Sequence, residues 1–334
     1  MALEASAGKL PAPRRALRGR VPALPLAIGR RLAAVLATLL ASSFIVYSSL
    51  YLAPGNPIKL LSGGRPLPPV AEARLTAEYH LDQPFMTRYW DWLKDAVLGD
   101  FGRSTVFHQE VSSLLSPRVG TTLFLVVFAS LLIILFGVGL GLLSGLGRRS
   151  TRTTVTIGTA VGMGIPSFIA SILLIALYSV QLGWFPVTGS GSGFGDRLWH
   201  LTLPAIALAL LGVAYVARIA GVAIIEEASQ DHVTTASARG MPRRTIIRRH
   251  ILRNALIPIV TVSGLMIASL IAGSAVVEQA FELDGIGSFL ISSVNARDFP
   301  VVQAICLIIV VVFVVVNAVV DVLYRVLDPR LRGS

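Results

Sequence analysis

Six long apolar runs alternate with polar stretches along the chain, at roughly Leu32–Ala53, Thr121–Leu143, Val155–Val180, Leu201–Ile225, Ala255–Val277 and Val301–Val320. As helices rising about 1.5 Å per residue, runs of this length cross a hydrocarbon layer of about 30 Å. The Val/Ile richness of the last run would suit a strand in a soluble protein, but its unbroken length predicts a membrane helix. The polar stretches divide by charge. Arg14, Arg15, Arg18, Arg20, Arg30 and Arg31 precede the first run, and Arg148, Arg149 and Arg152 follow the second. A third basic stretch separates the fourth run from the fifth. The intervening stretches are neutral or acidic. Basic connections stay in the cytoplasm, so the alternation predicts six spans with both termini inside. The first run is too long for a signal-peptide core and lacks a small-residue cleavage site, so it reads as a retained helix.

The stretch from Glu226 to Pro258, EEASQDHVTTASARGMPRRTIIRRHILRNALIP, is the longest charged interruption in the second half. Arg239, Arg243, Arg244, Arg248, Arg249 and Arg253 outnumber Glu226, Glu227 and Asp231. Charges at this density cannot lie in hydrocarbon. Asp231 is placed to cap a short helix whose apolar positions include Val233, Ala236 and Ala238. Gly240 ends that helix or turns the chain. Pro242 then fits the first turn of the next helix, which runs through Ile246, Ile247 and Ile251 with arginines on its other face. Small residues before a glycine let another protein approach closely, so one reading is a docking element. The other is an ordinary basic loop on lipid headgroups.

Elsewhere the pattern marks bends, contacts and isolated charges. Pro54, Gly55 and Pro57 end the first run. In the outer segment that follows, Phe85, Tyr89, Trp92, Leu93 and Ala96 recur at helical spacing. They read as an interfacial helix, as part of a platform for another protein, or as both. Gly137, Gly139, Gly141 and Gly145 allow close helix contact in the second span. Gly158, Gly162 and Gly164 precede Pro166, which kinks the third span, beside a pore or for packing alone, or leaves backbone groups to be satisfied by neighbours or water. Arg218 lies toward the inner end of the fourth span; it snorkels to headgroups or takes part in substrate passage. Glu278, Glu282, Asp284 and Asp298 fall on the outer side, and Asp321, Tyr324 and Arg325 at the inner boundary of the sixth span.

Composition narrows the class. Of 334 residues 54% are hydrophobic and only 14% charged, with mean hydropathy +0.73. A soluble domain carries about 25% charge, so this is an all-α polytopic membrane protein. The net charge of +11 would suggest nucleic acid in a soluble chain. Here topology explains the arginines, and no nucleic-acid partner is expected. Cys306 is a lone thiol in an apolar run and reads as packed. His80, His108 and His200 are isolated and read as local hydrogen-bonding or surface residues. There is no Gly-x-x-x-x-Gly-Lys-Ser/Thr loop to cradle phosphates, and no His/Cys/acid cluster for a metal or a catalytic centre.

The segment DHVTTASARG followed by RHILRNALIPIV resembles the cytoplasmic loop of permease subunits of binding-protein-dependent ABC importers, in the form written by the peptide/nickel branch. Thr234, Thr235 and Ala236 stand where Glu-Ala-Ala is usual in the superfamily, and Arg253 stands where Pro is usual. Asp231, Ala236, Ala238, Gly240, His250, Arg253, Asn254 and Pro258 hold matching places. LAPGNP, LDQPF, Tyr89, Trp92, GDFGRS and the tail DVLYRVLDPRLRGS are similar to the same branch, with Asn56 replacing an Asp. Gly221 replaces an Arg that often follows Arg218, and Asp284 replaces a Pro.

The resemblance implies six transmembrane helices with cytoplasmic termini in a bacterial or archaeal inner membrane. A basic arm covers 1–31 and a permease domain 32–325, which includes an outer segment at about 54–119 and a coupling loop at about 226–254; the tail is 326–334. Asp231, Thr235, Ala236, Ala238, Gly240, Arg243 and Arg244 then belong to a coupling helix and its flank, seated in a cleft of an ATPase. The chain itself uses no cofactor and is no enzyme. ATP and Mg are used by two ATP-binding subunits, alongside a homologous second permease and an extracytoplasmic solute-binding protein. Implied cargo is di- or oligopeptides, with nickel or glutathione as narrower options. The competing classes are an ion-coupled secondary transporter, which usually shows buried acids or repeats near midplane, and a membrane scaffold.

Overall fold

A computed structural model describes residues 24–52, 68–78 and 82–327 of the chain. The arm up to residue 23, the LAPGNP turn beyond Leu52, His80 and the tail from residue 328 lie outside the described residues. The regular structure described is helical, with one isolated bridge between Arg103 and Glu110. The helices are α1 (Leu24–Leu52), α2 (Pro69–Glu78), α3 (Phe85–Val97), α4 (Val111–Leu146), α5 (Arg149–Gly164), α6 (Ser167–Gln181), α7 (Phe194–Ala228), α8 (Asp231–Ala238), α9 (Arg243–Ala280), α10 (Ile286–Ala296) and α11 (Phe299–Leu327). Wide π-turns interrupt α4 at Ile133–Gly137 and α9 at Ile247–Leu252, and form the end of α6 at Ile175–Gln181.

Among the described residues four helices are long and apolar enough to cross a membrane: α4, α7, α9 and the Phe299–Val319 part of α11. The pair α5–α6 makes a fifth if its two halves are one span, while the apolar part of α1, Ala33–Ser49, is shorter. Apart from the far end of α1, the observed helices run past the apolar runs, because polar and charged residues can continue a helix beyond the hydrocarbon. The stretch 226–254 is accordingly less of a loop than its charge suggests. Helix α7 continues to Ala228 and α9 begins at Arg243, so only 229–242 separates them.

Helix α7 is the central element, packed between α4 and α9. Leu125, Ala129 and Ile133 of α4, Leu208 and Val216 of α7, and Val262, Leu270 and Val277 of α9 share one buried cluster. Glycines at four-residue spacing set the α4–α7 approach. A Cβ on Gly137, Gly141 or Gly145 would lie 2.9, 2.4 or 2.6 Å from the Cβ of Val216, Ala220 or Ile224. Gly139 takes no part: nothing lies within 4 Å of its added Cβ. One turn of an α-helix advances 3.6 residues, so only the residues four apart stay on the contact line.

At the end of the bundle away from α8, two acids are fully buried. Glu278 accepts hydrogen bonds from the Thr122 hydroxyl at 2.7 Å and from the amides of Gly287 and Ser288 at 2.8 and 2.9 Å. It thereby satisfies the free N–H groups that open α10. Asp298 accepts from the Ser104 hydroxyl and from the Thr105 amide at 3.2 Å. The sequence placed both acids on the outer side; the chain folds back as α10 between them and encloses them.

The amphipathic helix expected around Phe85 is α3. Its Tyr89 is buried and hydrogen-bonded to Ser43 of α1 at 2.8 Å. Tyr47 of α1 meets Phe85 and Trp92 with ring centroids 5.5 and 5.2 Å apart. Three aromatics of α3 therefore pack on α1, while Trp90 and Met86 face outward. Cys306 is half-buried. His200 bonds the Asp196 carbonyl locally, and His108 is exposed.

Overpacking a close helix contact costs about 1–3 kcal/mol. Gly141→Leu should lower the thermal midpoint of the detergent-purified chain by several degrees, with Gly139→Leu unchanged. Equal midpoints for the two variants would show that the α4–α7 line is not packed as described.

Candidate functional site

The Ser229–Met241 connection is built around α8, eight residues long. Gln230 precedes its first turn, and the Gln230 carbonyl accepts from the amides of Val233 and Thr234 at 3.0 and 3.2 Å. Asp231 is not the cap that the sequence suggested. It is the first helical residue, exposed, with its negative charge at the positive end of the helix dipole. No side chain caps this end.

The helix lies on the ends of two spans. Val233 and Ala236, one turn apart, are 7% and 5% exposed. They share a buried cluster with Ala220 and Ile224 of α7 and with Ile246, Ile251, Ala255 and Ile259 of α9. Ala238 does not join this face, contrary to the apolar pattern; it is exposed, as are Asp231, Thr234, Thr235 and Ser237. An eight-residue helix with two pegs on one side turns its third small residue outward, since residue 238 is two positions past 236. The outer face is thus short side chains only, flanked by charge.

The C-terminal end closes as a Schellman turn. The Gly240 amide bonds the Ser237 carbonyl at 3.0 Å and the Met241 amide bonds the Ala236 carbonyl at 3.3 Å. Met241 packs against the cluster beneath Ala236, the apolar contact that accompanies this motif. Gly240 has φ +73°, and no atom lies within 4 Å of the position a Cβ would take. The requirement for glycine is therefore backbone geometry and not local crowding. Pro242, at φ −56°, then leads into α9, its carbonyl accepting from Thr245 and Ile246 at 2.9 and 3.1 Å.

One carboxylate ties the three elements together, and the sequence pattern did not single it out. Glu227 Oε1, at the end of α7, accepts from Asn254 Nδ2 of α9 at 2.6 Å. It also stands 3.1 Å from His232 Nε2 of α8. The rings of His232 and His250 lie 6.0 Å apart. The available signal was an acid at the end of an apolar run in an otherwise basic connection, with Asn254 one heptad from Ile247.

The arginines take the remaining surface. Arg239, Arg243, Arg244, Arg248, Arg249 and Arg253 are exposed and form no ion pair among the described residues. Arg244, Arg248 and Arg249 line, with Thr245, an open depression of about 630 Å³. The site thus presents a small-residue ridge beside a fixed positive surface, suited to a protein carrying a complementary cleft and acidic rim.

Comparison with known proteins places these features. Residues 137–333 match the model of the family described as binding-protein-dependent transport system inner membrane component. The glutathione transport system permease protein GsiC of Escherichia coli K12 is 35% identical over 309 residues, covering 91% of this chain and 97% of that protein. GsiC of Salmonella typhi is 35% identical over 308 residues, with the same coverage. Among solved structures, an amino acid ABC transporter with histidines superposes at TM-score 0.52 and 22% identity, over 64% of this chain and 94% of that one. The inward-facing MetNI methionine ABC transporter gives TM-score 0.53 and 18% identity, over 64% and 96%. These two likenesses concern the fold.

A β-branched residue in the left-handed region costs about 1–2 kcal/mol, a factor of roughly 5–30 in a local equilibrium. Gly240→Val should raise amide exchange across 231–241 by about that factor, whereas Gly240→Asn, which tolerates positive φ, should change it little. Hydrogen-exchange mass spectrometry reads both; equal protection in the two variants would contradict the turn geometry.

Proposed function

We propose that this chain, which belongs to the binding-protein-dependent transport system inner membrane component family as an ABC importer permease of the peptide/nickel branch, moves short peptides across the bacterial inner membrane by alternating access. The observation that carries the reading is α8: two buried pegs seat it on α7 and α9, and its opposite face is small and open. A helix held this way passes a push from an outside partner to the spans. Asp231, Thr235, Ala238 and Gly240 form or border the presented face, Ala236 anchors it, and Arg243 and Arg244 supply the charged flank.

In this reading two ATP-binding subunits hold ATP and Mg, and α8 seats in a cleft of one of them. A second, homologous permease completes the pathway, and a solute-binding protein delivers cargo to the far side. The chain crosses the membrane six times, with α1 as the first span and α5–α6 together as the third. Both termini are cytoplasmic, in keeping with the arginine pattern. The ends of α10 and α3 then face the binding protein. Work is done by the partners' hydrolysis; this subunit forms the route and receives force.

Glutathione, itself a tripeptide, is the second reading, favoured by the name of the 35%-identical relative. Uptake of labelled trialanine into cells carrying the whole transporter, with di-, tri- and longer peptides, glutathione and nickel as competitors, decides among them. Peptides should compete and be lost together on deletion. Competition by glutathione alone would narrow the cargo to it, and selective loss of nickel uptake with peptide uptake intact would overturn the proposal.

A further inference from the structure

The third span is not a kinked helix but two helices. The axes of α5 and α6 meet at 100° across Ile165 and Pro166. A proline kink alone bends a helix far less. The break has a backbone consequence. The last turn of any α-helix leaves carbonyls without a partner four residues on. Here Pro166 has no N–H to offer Gly162, and α6 starts a new ladder in which the Ala170 amide bonds the Pro166 carbonyl at 3.0 Å. Among the described residues no backbone or side-chain donor serves the carbonyls of Gly162, Met163 and Gly164. Gly164 and Pro166 are exposed, and nothing lies within 4 Å of a Cβ on Gly164. Bare carbonyls inside a span are tolerated only where they are buried in protein or line a water-filled cavity.

A second observation falls at the same level. A Cβ on Gly162 would lie 3.3 Å from Ala214 Cβ and 3.8 Å from Leu210, so the end of α5 rests on that turn of α7. Next to this contact line α7, otherwise the central packed helix, carries an uncovered stripe: Leu211 at 49%, Tyr215 at 37%, Val222 at 46%, and Arg218 between them. The phenol and the guanidinium are the stripe's polar groups, and Arg218 forms no ion pair among the described residues. Snorkelling alone explains a lone Arg on a lipid face. It does not explain a Tyr and an Arg one turn apart beside three unserved carbonyls on the helix with the largest buried share.

From this juxtaposition we infer that the α5–α6 break and the Tyr215–Arg218 face of α7 form a section of the translocation pathway that recognises both ends of a zwitterionic substrate. The carbonyls of Met163 and Gly164, beyond the buried Gly162, accept hydrogen bonds from its ammonium or amide N–H groups, and the Arg218 guanidinium takes its carboxylate. From Ala214 to Arg218 the helix rises about 6 Å. With side-chain reach this brackets the roughly 7–10 Å length of an extended di- or tripeptide. The binding part of the inference rests on the importer reading; the pathway part does not.

The test uses the whole transporter with Cys306→Ala as background, in inverted and right-side-out vesicles. Gly164→Cys and Tyr215→Cys should react with a membrane-impermeant thiosulfonate at least tenfold faster than Ala209→Cys, which is packed in the core. Trialanine should slow both. Labelling no faster than at Ala209→Cys would overturn the pathway, and two positions guard against a misfolded variant at the break. Labelling that trialanine fails to slow would remove the binding role. For Arg218, Arg218→Gln should cut uptake of trialanine tenfold or more yet change uptake of C-terminally amidated trialanine less than twofold, relative to the unmodified transporter. Equal loss of both would overturn the carboxylate assignment. An unmodified transporter that takes up neither peptide would overturn the peptide reading instead, while the labelling rates still decide the pathway.

Discussion

The seat of α8 on the ends of α7 and α9 is the contact on which the rest depends. Two small apolar side chains, Val233 and Ala236, make it, and Glu227 locks its edge through Asn254 and His232. Pegs this short keep the helix close to the spans, so it has little room to rock by itself. The Schellman turn at Gly240 then feeds the chain directly into α9. Helix α9 runs without a gap from Arg243 to Ala280, about 57 Å at the usual rise. Near its far end Glu278 holds the first amides of α10 and the Thr122 hydroxyl of α4. A displacement of α8 therefore has one continuous covalent and hydrogen-bonded route to the opposite end of the bundle. The π-turn at Ile247–Leu252 is the place where that route can yield.

Backbone satisfaction explains where the bundle is regular and where it is not. Along α4 and α7 the glycines let the two helices approach until side-chain Cβ atoms meet backbone. The contact there is dense. At Pro166 the opposite holds: the ladder ends and restarts at 100°, leaving carbonyls that need an outside donor. The contrast between a sealed α4–α7 seam and an open α5–α6 break separates the static frame of the subunit from the part suited to meet water and cargo.

Much of this was legible in the sequence because hydrocarbon is a demanding solvent. Length and charge located the four long apolar helices and the broken pair α5–α6, though α4 and α9 begin about three turns before the apolar runs that marked them, and the DHVTTASARG segment announced a short helix ending at Gly240. What periodicity could not supply was orientation within an eight-residue helix. Ala238 was grouped with Val233 and Ala236 as an apolar position and is exposed, and Asp231 was assigned the cap and occupies the first turn. Small residues look alike in a pattern whichever way they point. Glu227, Glu278 and Asp298 were read by charge alone, and charge favours the surface. Each is instead held by donors distant in sequence or at a helix start, which no local pattern reveals. Pro166 was read as a kink because sequence gives the site of a bend and not its angle.

The central claim is that the open face of α8 is what a partner subunit touches. Site-directed cross-linking tests it most directly. In the Cys306→Ala background, Ala238→Cys and Ala236→Cys differ by two positions and sit on opposite faces of one short helix. With a short bifunctional thiol reagent and an ATP-binding subunit carrying cysteines along its cleft, the account predicts a cross-linked product from Ala238→Cys and none from Ala236→Cys. A transport-competent assembly in which Ala238→Cys gives no product at any cleft position would contradict it.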